Sequence, residues 1–420
     1  MYSTTHSRRR FLQRSLGGAT AIGIGGATPH LFTQAALAGS SAGERILVVL
    51  QMSGGNDGLN TVIPYANDDY RKARPKLAIA TADVLKCNDH VGFHPAMGGL
   101  RDLLEQGLLS VVQGVGYQRP NRSHFEAMDI WHTCRRKGEL REDGWLGRLL
   151  DSHSQDPGGD VPALHLGTEQ QPFAVVSKRV RVPTIRDLAE FQLRGHDRQE
   201  LRMFLSANLS QRASDTANSD PLLDFLQSST SSALAASQRV TQAAQSYEAS
   251  VPYPESALGR KMRTIAQLID AGLTTSVYYV QHDGFDTHAQ QGPSHEVLLR
   301  QWSEAVTAFM RDLQQHDHAQ RVCVASFSEF GRRVAENASA GTDHGAAGPM
   351  FVCGGRVQPG IVGDHPSLTD LDDGDLNFQV DFRSVYATIL KDWLGVEPEP
   401  ILGGSYDTIP LFTESRPRSG

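Results

Sequence analysis

Short, almost continuous apolar runs recur along the chain, and most of them break off into a polar turn. Arg45 to Met52 passes straight into Ser53-Gly54-Gly55-Asn56-Asp57-Gly58. Leu108 to Val115 is followed by Asn121-Arg122-Ser123-His124-Phe125-Glu126, and Thr275 to Val280 by His282-Asp283-Gly284-Phe285-Asp286-Thr287-His288. Arg321 to Phe327 ends in Ser328-Glu329-Phe330-Gly331-Arg332. Runs without polar alternation suit strands buried on both faces of a parallel sheet. Between them lie stretches of helical spacing. The clearest is 294–315, where Val297, Leu298, Trp302, Ala305, Val306, Phe309, Met310 and Leu313 share one face. The pattern predicts an α/β fold with a mostly parallel sheet. Further strands are expected at 163–166, 173–176 and 349–353, and further helices at 98–106, 144–150 and 384–394.

Ligands of open α/β sheets bind beyond the carboxyl ends of the strands. Polar residues at successive strand ends can therefore meet. Asn56 and Asp57 follow the first run, and a functionless Gly/Asn/Asp turn is the plainer account of them. Asp286 and His288 lie two apart, which puts both on one face of an extended strand end. Glu329 closes a later run, and Asp343-His344 arrives after a polar loop. Carboxylate with imidazole suits zinc, manganese or iron. Any of these acids can instead orient a histidine from behind. Ser123, with Glu126 three residues on, reads as a capping box. The same hydroxyl at a helix start is also placed to attack an anionic centre. His124 beside it is open to three roles: ligand, base or turn residue.

Cysteines are few, Cys87, Cys134, Cys323 and Cys353, with no CxxC pair, which argues against a structural zinc knot. Cys323 and Cys353 sit in apolar runs and are expected as buried thiols.

The N-terminus carries an address. Ser7-Arg8-Arg9-Arg10-Phe11-Leu12-Gln13 resembles the twin-arginine export signal. A weakly apolar Gly/Ala-rich stretch follows, and Ala36-Leu37-Ala38 is a small-x-small cleavage pattern. Residues 1–38 are expected to be the signal peptide, with the mature chain starting at Gly39. Its glycines, Pro29, His30 and Gln34 do not suit a membrane span, which needs about 20 strongly apolar residues. The expected location is periplasmic or extracellular, with the twin-arginine translocase as partner during export. Without the four arginines of the signal, 36 basic residues face 47 acidic ones, a net −11. That balance argues against nucleic acid as a partner. Residues 39–420 are expected to form a single domain. From about 185 to 270 the chain turns rich in Gln, Ser, Ala, Arg and Asp, which predicts a helical insertion.

Taken together, the signal, Gln51-Met52-Ser53-Gly54-Gly55-Asn56-Asp57-Gly58, Arg122-Ser123-His124-Phe125, Gly284-Phe285-Asp286-Thr287-His288, Ser328-Glu329-Phe330-Gly331-Arg332 and Asp343-His344 resemble one known family. It is the exported bacterial family catalogued as domain of unknown function fifteen-zero-one, placed near the alkaline phosphatase and sulfatase superfamily. The resemblance implies a three-layer α/β/α sandwich with a metal site at the strand ends. It implies hydrolysis or transfer of phosphate or sulfate esters, small or polymer-borne. Ser123 takes the place of the nucleophile, with His124 beside it. Asn56, Arg122 and Arg332 are the candidate substrate contacts. Asp57, Asp286, His288, Glu329, Asp343 and His344 are the candidate ligands of divalent metal, zinc or manganese, in a number the resemblance leaves open.

The chain also departs from the superfamily. Gln51 ends the first strand where an Asp is usual, and Asp286-x-His288 is shorter than the usual Asp-x-x-x-His. Glu329-Phe330 stands where Asp-His is usual, and Ser123 lacks the Cys/Ser-x-Pro-x-Arg context of formylglycine sulfatases. A non-catalytic exported binding protein that keeps the fold is the alternative. A metallopeptidase is weaker, since no HExxH occurs.

Overall fold

The aliphatic residues after Arg45 alternate between two cores, as a strand covered on both faces must. In the computed structural model, which describes residues 45–153, 160–186 and 247–413, strand β1 is Ile46–Ser53. Its Ile46, Val48, Leu50 and Met52 enter one core, and Leu47 and Val49 enter the other. Fully burying each such side chain is worth about 1.5–3 kcal/mol.

The chain continues through helix α1 (Gly98–Glu105), strand β2 (Leu109–Gly116), and helices α2 (His124–Thr133) and α3 (Trp145–His153). Strands β3 (Ala163–Leu166) and β4 (Thr184–Ile185) follow. Next come helix α4 (Ala257–Asp270), strand β5 (Val277–Asp283), the long helix α5 (Gln291–Gln315) and strand β6 (Val322–Phe327). Strands β7 (Gly348–Gly354), β8 (Gly360–Val362) and β9 (Val380–Asp381) lead to helix α6 (Phe382–Thr388).

These strands form one nine-stranded sheet in the order β8-β2-β7-β6-β1-β5-β3-β4, with β9 also pairing to β2. Within it β7 alone runs antiparallel, to both β2 and β6. Helices α1, α4 and α5 pack on one face through residues such as Leu100, Ile265 and Trp302. Helices α2, α3 and α6 cover the other through Trp131, Trp145 and Tyr386. The expected three-layer sandwich is therefore what forms.

Some local expectations are overturned. Residues 173–176 do not make a strand. Phe173–Val175 is a single 3-10 turn after Pro172, and the Val176 carbonyl accepts from Gly144 N just ahead of α3. Ser123 is the N-cap of α2, but its side chain makes no capping bond. Glu126 is drawn away by the guanidinium of Arg141, 2.6 Å from its Oε1, so the capping box does not close. The helix expected at 384–394 is α6 followed by a π-helical turn, Ile389–Leu394, closed at Gly395 with φ 71°. All four thiols are free, and Cys134, Cys323 and Cys353 are buried. The signal at 1–38 and most of the insertion, 187–246, lie outside the described residues. Of the insertion, α4 is described. Among the described residues, no helix is long and apolar enough to cross a membrane.

Candidate metal centre

The sheet register delivers several turns to one level. Ser53 pairs with Asp283, and Gln51 with Phe327. Gly348, the first residue of the antiparallel β7, pairs with Val115 near the end of β2. The turns after β1, β2, β5 and β6 and the loop before β7 thus meet at one sheet end. They crowd together there. Gly54 has φ +118°, and a Cβ on it would lie 2.5 Å from the Asp286 nitrogen. A Cβ on Gly55 would strike the Phe330 ring. Only glycine fits both places.

Asp286 is the hub. His344 Nε2 lies 3.1 Å from its Oδ1, and His288 Nε2 lies 3.0 Å from the same oxygen. His124 Nε2 lies 3.4 Å from Oδ2. Each imidazole turns its other nitrogen outward to an oxygen. His124 Nδ1 meets Glu329 Oε1 at 2.8 Å, His344 Nδ1 meets the Arg122 carbonyl at 2.7 Å, and His288 Nδ1 meets Asp343 Oδ1 at 3.4 Å. A carbonyl can only accept, so His344 carries its proton on Nδ1 and offers a lone pair at Nε2. Histidine ligands of metals are held in this way, with the rear nitrogen on a carboxylate or carbonyl.

The supports are rigid. Glu329 is buried and also accepts from Gly54 N at 2.9 Å. Arg332 is fully buried, donates to Asp286 Oδ1 at 2.7 Å and to the Phe285 carbonyl at 2.9 Å, and so fixes the hub. The Phe330 ring packs against both His124 and His344, with centroids 4.9 and 4.7 Å away. Partial burial would push the Asp286 carboxyl up, but the hydrogen bond and charge of Arg332 beside it hold it down to about 2. The Glu329 hydrogen bond raises the His124 pKa above its ordinary value, against the burial that lowers it.

The donor set fits a divalent ion. Ligand atoms of His124, Asp286 and His344 all lie within 4.8 Å of one another. Zinc bonds of 2.0–2.1 Å imply donors about 3.3 Å apart in a tetrahedron; here His344 Nε2 is 3.1 Å from Asp286 Oδ1 and His124 Nε2 is 3.4 Å from the other oxygen, Oδ2. His124 Nε2 is buried and has no hydrogen-bond partner. His288 Nε2 stands 2.9 Å from His344 Nε2, so it borders the same centre.

Other candidates from the sequence lie elsewhere. Glu329 and Asp343 stand behind histidines, on their Nδ1 atoms. Asp57 is not brought to the centre: it is fully buried in an ion pair with Arg74, 2.5 Å away, and bonds to Gln291. Burial raises its pKa, but Arg74 outweighs that and holds it below the usual carboxylate range. Asn56 is buried too, accepting at 2.9 Å from His295 and at 3.1 Å from Thr61. Arg332 and Arg122 are both engaged, Arg332 by Asp286 and Arg122 by Asp373 and Asp375. Ser123 is exposed, next in sequence to His124.

Sequence reasoning missed Phe330, Arg74, Gln291 and His295. The last two are four apart in the first turns of α5, hence on one helix face just past a strand end, which was the available signal.

The model of a family described as Protein of unknown function (DUF1501) matches residues 44–403. No curated protein matches the chain. Among solved structures, a protein in the alkaline phosphatase superfamily from Vibrio parahaemolyticus is similar, with 9% identity and a TM-score of 0.41, covering 86% of this chain and 69% of that one. A sulfatase from Pseudoalteromonas sp. overlaps with 11% identity and a TM-score of 0.38, covering 91% and 75%. The phosphonate monoester hydrolase of Agrobacterium radiobacter gives 10%, 0.37, 86% and 78%. Overlaps of this size carry no activity across to this chain.

Proposed function

The chain belongs to that family of unknown function, its model spanning nearly all of the described residues, and we propose that this member is an exported, metal-dependent hydrolase of phosphate or sulfate esters. One observation carries the proposal. Nε2 atoms of His124, His288 and His344 converge on one carboxylate, Asp286, while each Nδ1 is taken by an oxygen behind it. A purely structural cluster has no need to leave His124 Nε2 buried without a hydrogen-bond partner.

His124, Asp286 and His344 would hold the ion, and His288 Nε2 lies beside His344 Nε2. A divalent ion there would offset the negative charge that develops on the ester oxygens. Glu329 keeps His124 in the tautomer that points Nε2 inward, and Arg332 keeps Asp286 ionised. Ser123 is the nucleophile: its hydroxyl is exposed and makes no capping bond. Its oxygen bonds to phosphorus or sulfur as the ester oxygen leaves and takes up the serine proton, and water then displaces the serine oxygen and returns a proton to it, releasing phosphate or sulfate. The twin-arginine signal, if used, exports the protein already folded around its ion.

Metal-supplemented protein assayed on aryl phosphates and sulfates tests this reading. Turnover is expected with zinc or manganese, and Ser123→Ala is expected to lower it on the order of 10²-fold or more. Turnover unaffected by that substitution would remove Ser123 from the chemistry. A second reading is a non-catalytic metal-binding protein. The prior engagement of Arg332 favours it, because its fully buried guanidinium is not left free for a substrate. Bound metal without turnover on any ester would select it.

A further inference from the structure

Beside the centre lies a hairpin whose strands are Leu371–Asp372 and Asp375–Leu376. Its two-residue turn, Asp373-Gly374, has positive φ at both positions, 50° and 85°, the geometry of a tight type I′ turn. The hairpin is anchored by Leu376, buried in a small apolar cluster with Tyr70 and Val334. Two of its three aspartates, Asp373 and Asp375, face a pair of arginines. Asp375 is the fixed partner: it is 3% exposed and takes Arg122 Nε at 2.8 Å and Nη2 at 2.7 Å. Asp373 is the loose one. It is 75% exposed, and a single oxygen, Oδ2, bridges Arg122 Nη1 at 3.0 Å and Arg333 Nη2 at 3.2 Å.

Both arginines are tied by their backbones to the metal centre. The Arg122 carbonyl accepts from His344 Nδ1 at 2.7 Å. Arg333 N donates to the Asp343 carbonyl at 3.0 Å. Two half-exposed guanidiniums thus converge on one exposed carboxylate oxygen, one residue from the proposed nucleophile.

We propose that Arg122 and Arg333 form an oxyanion subsite at the rim of the metal centre, for a phosphate or sulfate group of the substrate, and that Asp373 is its built-in occupant, displaced when the group binds. The proposal rests on the ester-hydrolase reading only for what brings the anion there. A tetrahedral oxyanion offers several acceptor oxygens to the two guanidinium forks, where Asp373 offers one. Displacement needs only rotation of the Asp373 side chain, since the turn backbone is fixed. Exposed ion pairs are individually weak, so the occupant yields easily. Asp375 stays in place and keeps Arg122 oriented.

Titration calorimetry of the metal-free full chain with inorganic phosphate reads this subsite without the metal and without turnover. Asp373→Asn and Asp373→Ala are each expected to tighten phosphate binding about three- to tenfold. Adding Arg333→Ala is expected to abolish that gain. Unchanged affinity in both single variants overturns the proposal, and so does a gain that survives the loss of Arg333. Neither result depends on whether the protein turns over an ester, so the two readings fail separately.

Discussion

Two polar clusters lie at the same sheet end, built from nearly the same residue types, and they have opposite characters. The Asp57 cluster is closed. Asp57 and Arg74 are both 0% exposed, and Asn56, Asn60, Gln291 and His295 bond around them, leaving Asp57 Oδ1 and Asn56 Nδ2 buried without a hydrogen-bond partner. The Asp286 cluster is open. Asp286 is 46% exposed, and its histidines aim their front nitrogens at a shared point. Burial explains the contrast. A buried carboxylate must be matched in place by an opposite charge, and Arg74 does this permanently. A half-exposed carboxylate with rigid supports can leave its front unmatched for something that arrives later. The first cluster therefore shapes the turn after β1, and the second is where we propose that the ion binds.

The sharpest way to break this comparison is to unpair the closed cluster. Arg74→Met leaves Asp57 buried and uncompensated, and a loss of about 3–5 kcal/mol in unfolding free energy is expected by denaturant titration. Adding Asp57→Leu should recover much of it, because an apolar pair needs no matching charge. Metal content of the folded fraction should stay as in the parent protein.

The converse test acts on the open cluster. Glu329→Gln keeps a hydrogen-bonding oxygen behind His124 but removes the charge. Metal affinity, read by competition with a chelator, is expected to fall about 10–100-fold. An unchanged affinity would mean that His124 is not held as a ligand.

Acid separates the clusters further. The folded Asp57 pKa lies below its unfolded value of about 3.9. Its contribution to stability is therefore fully present above about pH 3.9 and is lost as pH falls through the folded pKa. A stability–pH series should show this loss in the parent protein and not in Asp57→Asn. The smallest expected effect is on stability in Ser123→Ala. A serine N-cap that bonds the helix is typically worth about 1 kcal/mol. Ser123 makes no such bond, so a change within about 0.5 kcal/mol is expected in thermal unfolding.

The sheet was legible in the sequence to the extent that burial on both faces writes itself as an apolar run. Ile46–Ser53, Leu109–Gly116 and Val322–Phe327 all stood out in that way. Direction did not, because the period-two pattern of Gly348–Gly354 is the same whichever way the strand runs. Phe173–Val175 was misread since an apolar run that short carries no decisive period. In the candidate site, position at a strand end singled out Asp286, His288 and Glu329, and His344 was singled out after a polar loop. Depth was not legible. Nothing around Asp57 shows that Arg74, the C-cap of a short polar helix, will bury with it. Nor does a motif distinguish a carboxylate that faces an ion from one that stands behind a histidine, as Glu329 does.

The reversed direction of β7 has a consequence for how such a site can vary. The chain between β6 and β7 leaves the sheet and re-enters it at the same end. That out-and-back excursion, 328–347, carries Glu329, Phe330, Arg332, Asp343 and His344. Residues added or removed within it leave every strand register untouched. Closing a longer excursion is also inexpensive, about 0.6 kcal/mol per doubling of length. The linear separation between Glu329 and His344 is therefore a soft variable, and their meeting in space a hard one. An unusual spacing in the sequence is what this topology permits without moving a single donor.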